Sequence, residues 1–446
     1  MYRMDDKVAP HNDRHRKSSA RELCIAVLTV ATVITVTQIA NIGSTESVPF
    51  IPISPTSLRT PAYLDHQLIP IPSVPKRPFT DSNFPAAKPD SISLSDGRAL
   101  SSTTLISIEA DANWIVSAQL PNGAIANYPF NGTSAVIEPY MSNYGAIGLA
   151  EATIATDDAV YANDAWNWLF WYAAHMNPNT GYVTDYNYRN STETSTGSFD
   201  STDAYAGTFL AAAWDTYLAQ PRATKLVKLL PAIELAVKAI ESTQQSDGLT
   251  WATPTYHAKY LMDNAEVYGG LVSAKNLARA AGDNALAAEV SRDATRSFDG
   301  IQTLWNSTTD SYDWTRAGAN STTDTPTDWS VIYPDAFEQM WAVAWDATTS
   351  SHAASVLSLF VAAQPNWDVP TDTAPQLTNG TVSLSKIGYW PFVATAYVAV
   401  GNLTADETAA MLLQDDLNAT EKAWPWNTGS AGQLVIALAE TGPIFH

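Results

Sequence analysis

Phe199 to Trp214 reads FDSTDAYAGTFLAAAW: two carboxylates and a tyrosine at the entrance of an otherwise apolar stretch. Alanine, leucine and aromatics without a polar stripe predict a helix buried on all sides. With a start near Ser201, Asp200, Asp203 and Tyr205 lie about one turn apart, so all three can face the space that this helix end overlooks. Acids at a helix start also suit the free backbone N–H groups and the helix dipole, so one such end does not establish a site. The pattern has to recur to carry weight.

It does recur. Outward from this stretch the chain reads as about twelve helices in pairs. The first of each pair is amphipathic, over 102–120, 157–176, 223–245, 283–305, 349–364 and 403–419. The second is apolar and rich in Ala, Gly and aromatics, over 139–154, 202–219, 263–281, 334–347, 389–401 and 427–440. Six buried helices, each partnered by an outer one, predict an all-α double ring. The joints repeat as well. SAQLPNGAIANY, AHMNPNTGYVTDY, STQQSDGLTWATP and LWNSTTDSYDWTR each run from Gln or Asn through a Gly or Asp turn to an aromatic or β-branched residue. In these features residues 100–446 resemble the (α/α)6 toroids of the six-hairpin glycosidase superfamily. STQQSDGLTW also resembles the Gln-Trp repeats of terpene cyclases, but the chain has no DxDD acid motif.

In the toroids that this chain resembles, the cleft is lined by the N-terminal ends of the inner helices. Here those ends carry Glu138 and Tyr140, with Tyr144 one turn on; Asp200, Asp203 and Tyr205; Asp263 and Glu266; Asp335 and Glu338; Tyr389 and Trp390; and Trp424, Trp426 and Asn427. Glycoside hydrolysis needs one carboxylic acid to protonate the leaving oxygen and one carboxylate to activate water or attack the anomeric carbon, and aromatic faces hold sugar rings. EPYMSNYGAIGLA resembles the SEGxxYGMxLA segment of the cellulase-like inverting toroids, which implies Glu138 as proton donor. Pro139 and Tyr140 replace that family's small turn, and Tyr144 matches its tyrosine. FDSTDAYAGTFLAAAW resembles their DADxDIAYALLLA segment, implying that Asp203 meets the sugar at the scissile bond. YPDAF falls near their base-bearing segment, which makes Asp335 the candidate base. Asp200, Tyr140, Tyr144, Tyr205, Asp263, Glu266, Tyr389, Trp390 and Trp426 complete the expected substrate-binding set, and Asp185 with Tyr186 in GYVTDYNY can border the cleft.

The composition agrees with a large folded domain: 46% hydrophobic residues, with 15 Trp and 19 Tyr. A formal charge of −21 argues against nucleic acid or an anionic polymer as partner and leaves a neutral or weakly charged glycan. No metal or cofactor is expected, since His175, His257, His352 and His446 lack ligand spacing and there is no phosphate loop or GxSxG elbow. Two other activities fit less well: lyase chemistry, for which Tyr256 and His257 are the candidate bases, and a toroid that binds glycan without cleaving it while assisting assembly or export of a surface polysaccharide.

Six Lys and Arg residues lie within 1–22, and Leu23 to Ile42 is an uncharged, mostly apolar run of spanning length. This predicts a single-pass signal anchor over 23–42 with its basic side in the cytoplasm and the rest outside; a cleaved leader with a secreted product is the alternative. Proline recurs through 43–99, as in VPFIPISPTS and LIPIPSVPKRP, which reads as an extended linker. Cys24 is the only cysteine, so the domain at 100–446 is stable without a disulfide.

Overall fold

The inner and outer helices differ in how they are buried, as their sequences require. In α4 (Thr202–Ala219) fifteen of 18 residues are buried, on every side of the helix. In α7 (Asn284–Gln302) the buried positions include Ala287, Val290, Ala294, Ser297 and Ile301, a single stripe at three- and four-residue spacing. The computed structural model describes residues 100–317, 323–364, 377–378, 381–382, 390–400, 426–439 and 444. The expected basic segment, membrane anchor and linker at 1–99, the outer helix at 403–419, and Tyr389 and Trp424 lie outside the described residues. Among the described residues no helix is long and apolar enough to cross a membrane.

The inner helices are α2 (Pro139–Thr156), α4, α6 (Leu261–Ala280), α8 (Phe337–Ala344), α10 (Trp390–Ala399) and α11 (Thr428–Ala439). Each packs on the next, and α11 packs on α2, so the ring closes. Around it, α1 (Ser102–Ser117) lies on α2 and α11, α3 (Ala159–His175) on α2 and α4, α5 (Ala223–Glu241) on α4 and α6, α7 on α6, and α9 (Ser350–Ala363) on α8. The α8 helix starts later than the pattern predicts, because Ile332–Ala336 makes a wider π-type turn in which Tyr333 is extended.

Closure depends on glycine at the tightest crossings. A Cβ on Gly432 of α11 would lie 2.0 Å from the Tyr144 carbonyl oxygen of α2, and one on Gly270 of α6 would lie 2.4 Å from the Gly207 carbonyl oxygen of α4. Neither contact is relieved by turning a side chain. Gly432→Ala is therefore expected to destabilise the domain by about 3 kcal/mol, the upper range for overpacking a core; a urea midpoint within error of the parent's would show that the ring gives way there.

The recurring joint has a mechanical explanation. Gln119 and Gln244 each send Nε2 to the carbonyl of a turn glycine four residues on, Gly123 and Gly248, at 3.2 Å. The same Nε2 groups reach Asp164 O and Asp293 O on the following outer helices. Gly123, Gly181 and Gly248 all have positive φ, and a Cβ on any of them would run into the backbone of the next outer helix. Gln and Gly recur in these two joints because the same buttress is built at both corners.

The fold is not purely helical. The loops entering the inner helices pair as short antiparallel ladders: β1 (Ser134–Ile137) with β2 (Tyr186–Arg189), β2 with β3 (Thr192–Ser195), and β4 (Lys259–Tyr260) with β7 (Thr315–Arg316), which also pairs with β8 (Asp324–Thr325). A further pair is β5 (Trp305–Asn306) with β6 (Ser311–Tyr312). These segments cross packed helix ends, where backbone groups shielded from water must find partners.

Candidate active site

Each outer-to-inner hairpin delivers its inner helix to the ring in the same sense, so the helix starts gather at one end. Glu138 occupies the N-cap position of α2, ahead of Pro139, yet its side chain does not cap the helix. It turns instead to Asn127, whose Nδ2 donates to Oε2 at 2.9 Å. Asn127 is itself fixed by the fold, since its N–H donates to Val136 O and its carbonyl accepts from Thr428 N at the start of α11. The helix-start explanation of this acid therefore fails.

The β1/β2 ladder adds a partner. Ile137 pairs with Tyr186, so Glu138 and Asp185, the next residues beyond that pair, stand side by side where the two strands end. Asp185 is braced by Tyr205, whose hydroxyl donates to Oδ1 at 2.9 Å. Glu138, Asp185 and Asp200 are all partly exposed. Burial pushes the Glu138 carboxyl up to about 7, with the Asn127 hydrogen bond opposing and the Asp200 charge adding to the rise. Burial, then the Glu138 charge, also raises Asp185. Two like charges this close do not both ionise readily, so the pair retains a proton near neutrality. Burial also lifts Asp200, to about 6.

The remaining acids lie deeper and are used differently. Asp203 is fully buried and accepts from Thr250 Oγ1 at 2.6 Å and from Ala204 N at 2.9 Å. Glu266, also fully buried, takes three donors on Oε1: the hydroxyls of Tyr140 (2.7 Å) and Tyr144, and Trp341 Nε1 (3.0 Å). It thereby ties α2, α6 and α8 together. Glu338 of α8 accepts from Met262 N at 3.2 Å, so it caps α6 rather than its own helix. Asp335 is fully buried and accepts from Asp328 N at 2.8 Å. Asp263 is 6% exposed, and its electrostatic neighbours are Asp203, Glu266, Asp200 and Glu338.

The structure thus brings Glu138, Asp200, Asp203, Asp263, Glu266, Tyr140, Tyr144 and Tyr205 to one end of the ring. Tyr140 stacks on Tyr205 with ring centroids 5.9 Å apart. Asp335 is an electrostatic neighbour of Glu338, which in turn is a neighbour of Asp263. Trp426 is fully buried among core residues, which removes its faces from a sugar, and Trp390 lies in α10. The structure places two further residues beside Glu138: Asp185, which the sequence put at the border of the cleft, and Asn127, which sequence reasoning missed. The signal for them is the pairing of SAVI with YNYR, since each tetrapeptide abuts an acid. Among the described residues no three His, Cys, Asp or Glu side chains are arranged to hold a metal ion. Tyr256 donates to or accepts from the Tyr260 hydroxyl at 2.7 Å, and His257 stacks on Trp251 with Nε2 2.9 Å from Pro254 O.

The acid cluster makes stability depend on pH. Burial raises Glu266 to about 8 against the Tyr144 and Tyr140 hydrogen bonds, and Glu138 and Asp200 are raised as well. Groups that hold protons more tightly in the folded chain stabilise it while protonated, so stability falls as pH rises from about 4.5 through 8. Glu266→Gln keeps the shape and removes the titration. Its urea midpoint is expected to match the parent's near pH 5 and to exceed it near pH 8; equal slopes of stability against pH in the two proteins would contradict the assignment.

No family model and no curated protein matches the sequence. Solved structures do match. An alanine variant of a glycosidase in complex with glucose is 12% identical, with a TM-score of 0.53 over 78% of this chain and 100% of that one. The GH63 mannosylglycerate hydrolase from Thermus thermophilus, in complex with glucose, is 11% identical, with a TM-score of 0.51 over 74% of this chain and 99% of that one. A D-mannose isomerase is 12% identical, with a TM-score of 0.51 over 76% and 97%. At these identities the likeness is one of fold: the chain shares the helical-ring architecture of these structures.

Proposed function

We propose that this protein is a glycoside hydrolase in which Glu138 protonates the leaving oxygen and Asp185, its neighbour across the β1/β2 ladder, presents the carboxylate. The observation that carries this reading is the juxtaposition itself: two partly exposed acids at the ring mouth, neither capping a helix, each braced by one neutral donor. A pair that retains one proton near neutrality supplies an acid and a base at the same pH. In this scheme the carboxylate faces the positive charge that develops at the anomeric carbon. Asp203 and Asp335, buried and hydrogen-bonded, shape the mouth rather than touch the scissile bond. Tyr140, partly exposed, forms a wall for the sugar, and Tyr205 backs it by stacking from beneath.

The glycosidase neighbours of the fold support this reading over a toroid that only binds glycan. Anchoring at the cell surface through 23–42, with the domain outside, is part of the proposal and rests on the sequence pattern. The deciding experiment is release of reducing ends by the full-length chain from bacterial, fungal and plant glycans. Release from at least one glycan is expected. Tight binding to a glycan that is never cleaved favours the non-catalytic alternative.

A further inference from the structure

The strand β3 reads TETS, has no apolar side chain, and exposes every residue but Glu193. The Glu193 carboxyl meets three groups from elsewhere in the ring. Oε1 accepts from Trp171 Nε1 at 2.8 Å and from Asn122 Nδ2, and Oε2 lies 2.9 Å from His175 Nε2. Trp171 and His175 stand one turn apart at the C-terminal end of α3, and Asn122 belongs to the turn that follows α1. Burial works to raise the Glu193 carboxyl, yet the hydrogen bonds from His175, Trp171 and Asn122 bring it below its ordinary value.

The second ring nitrogen of His175 locates the proton. Nδ1 is 2.7 Å from Trp171 O, and a carbonyl only accepts, so Nδ1 carries hydrogen. A further proton must then lie between Nε2 and Oε2, and it rests on nitrogen because imidazole is a stronger base than a carboxylate. The pair is imidazolium and carboxylate. The helix end favours that cation. So does the indole of Trp171, stacked on the imidazole with centroids 4.0 Å apart. Tyr186 of β2 is the further titratable neighbour, edge-on to both rings at 5.4 Å from Trp171 and 4.9 Å from His175.

What this fastening holds is Asp185. Its neighbour Tyr186 pairs with Ser195 in the β2/β3 ladder. Just past that pair, Asp185 N donates to Ser198 O at 2.8 Å and Thr196 N donates to Asp185 O at 2.9 Å. The backbone of Asp185 is therefore gripped by the chain that leaves β3, and β3 is the outer strand of its sheet. Without a buried apolar side chain, that strand is tied to the helices by Glu193. We propose that Glu193 and His175 are positioning residues for Asp185: they fasten the outer strand to α3 and through it set the Asp185 carboxylate beside Glu138. The role of Asp185 rests on the hydrolase reading, whereas the fastening is measurable without substrate.

The test joins amide hydrogen exchange to kinetics, on the full-length chain and its Glu193→Ala, Glu193→Gln and His175→Ala variants. Glu193→Ala is expected to speed exchange over 184–198 by about tenfold or more while leaving α4 at the parent's rate, as local opening of one hairpin requires. On a cleaved glycan it should lower kcat by about ten- to a hundredfold and leave KM within about threefold, the signature of a reacting group held out of place. Glu193→Gln keeps an acceptor for Trp171 and Asn122 and offers an amide to His175 in its neutral form. It should bring both readouts to within about threefold of the parent. His175→Ala removes one donor of three and should fall between. Parental exchange over 184–198 in Glu193→Ala would overturn the fastening. Faster exchange with an unchanged kcat would overturn the positioning role. A parent that cleaves no glycan would bring down the positioning role together with the hydrolase reading, and exchange would still decide the fastening.

Discussion

Glu138→Gln is expected to lower kcat on any cleaved glycan by about a thousandfold, within the range that a positioned general acid contributes. The amide keeps the shape and still accepts from Asn127, so KM should move only a few-fold; what is lost is the proton. Aryl glycosides with a good leaving group need little protonation, and on them the deficit should shrink. That contrast separates a missing proton donor from a disturbed pocket. A variant that keeps more than about a tenth of the parent's kcat on natural glycans would move the acid to Asp185 or Asp200. The pH profile offers a second readout. Asn127→Ala removes the donor that favours ionised Glu138, so the limb that reports loss of the acid should move to higher pH.

The largest expected loss of stability lies beside the mouth, not in it. Arg316 of β7 is 8% exposed and grips Asp324 through both Nε and Nη2, the latter at 2.8 Å. Its Nη1 reaches Asp247 at 3.2 Å and Thr303 Oγ1 at 3.1 Å, while Lys259 Nζ meets the same Asp247 oxygen at 2.7 Å. These contacts lock β4, β7 and β8 together, and β4 runs directly into α6, which carries Asp263 and Glu266. Arg316→Ala leaves Asp324 without its main partner, and breaking such a buried pair from one side costs about 3–5 kcal/mol. Arg296→Ala is the control. That side chain is 52% exposed and pairs with Asp293 three residues away on α7, so its loss should cost less than about 1 kcal/mol. The two urea midpoints check both figures, and similar losses would show that the sheet does not depend on Arg316.

For the described residues, the helix pairs, their order and which member is buried were legible along the chain, because a helix apolar on every side can only be an inner one and a striped helix can only lie outside it. FDSTDAYAGTFLAAAW and the striped run that became α7 show the two extremes. The grouping of acids at the inner helix starts was legible for the same reason: one hairpin, repeated, brings every inner helix to the same end. The division of labour among those acids was not. Whether an acid caps its own helix, caps a neighbour as Glu338 does, or ties three helices as Glu266 does depends on groups far away in the chain. Glu266 meets Tyr140 across 126 positions, and Asp203 meets Thr250 across 47. Glu138 and Asp185 become neighbours only when SAVI pairs with YNYR in one register, and a slip of one residue would turn the strand's side chains to the opposite face. Periodicity is a local property and is written in local sequence. The state of a carboxylate is set by everything that approaches it, and only the closed ring decides what does.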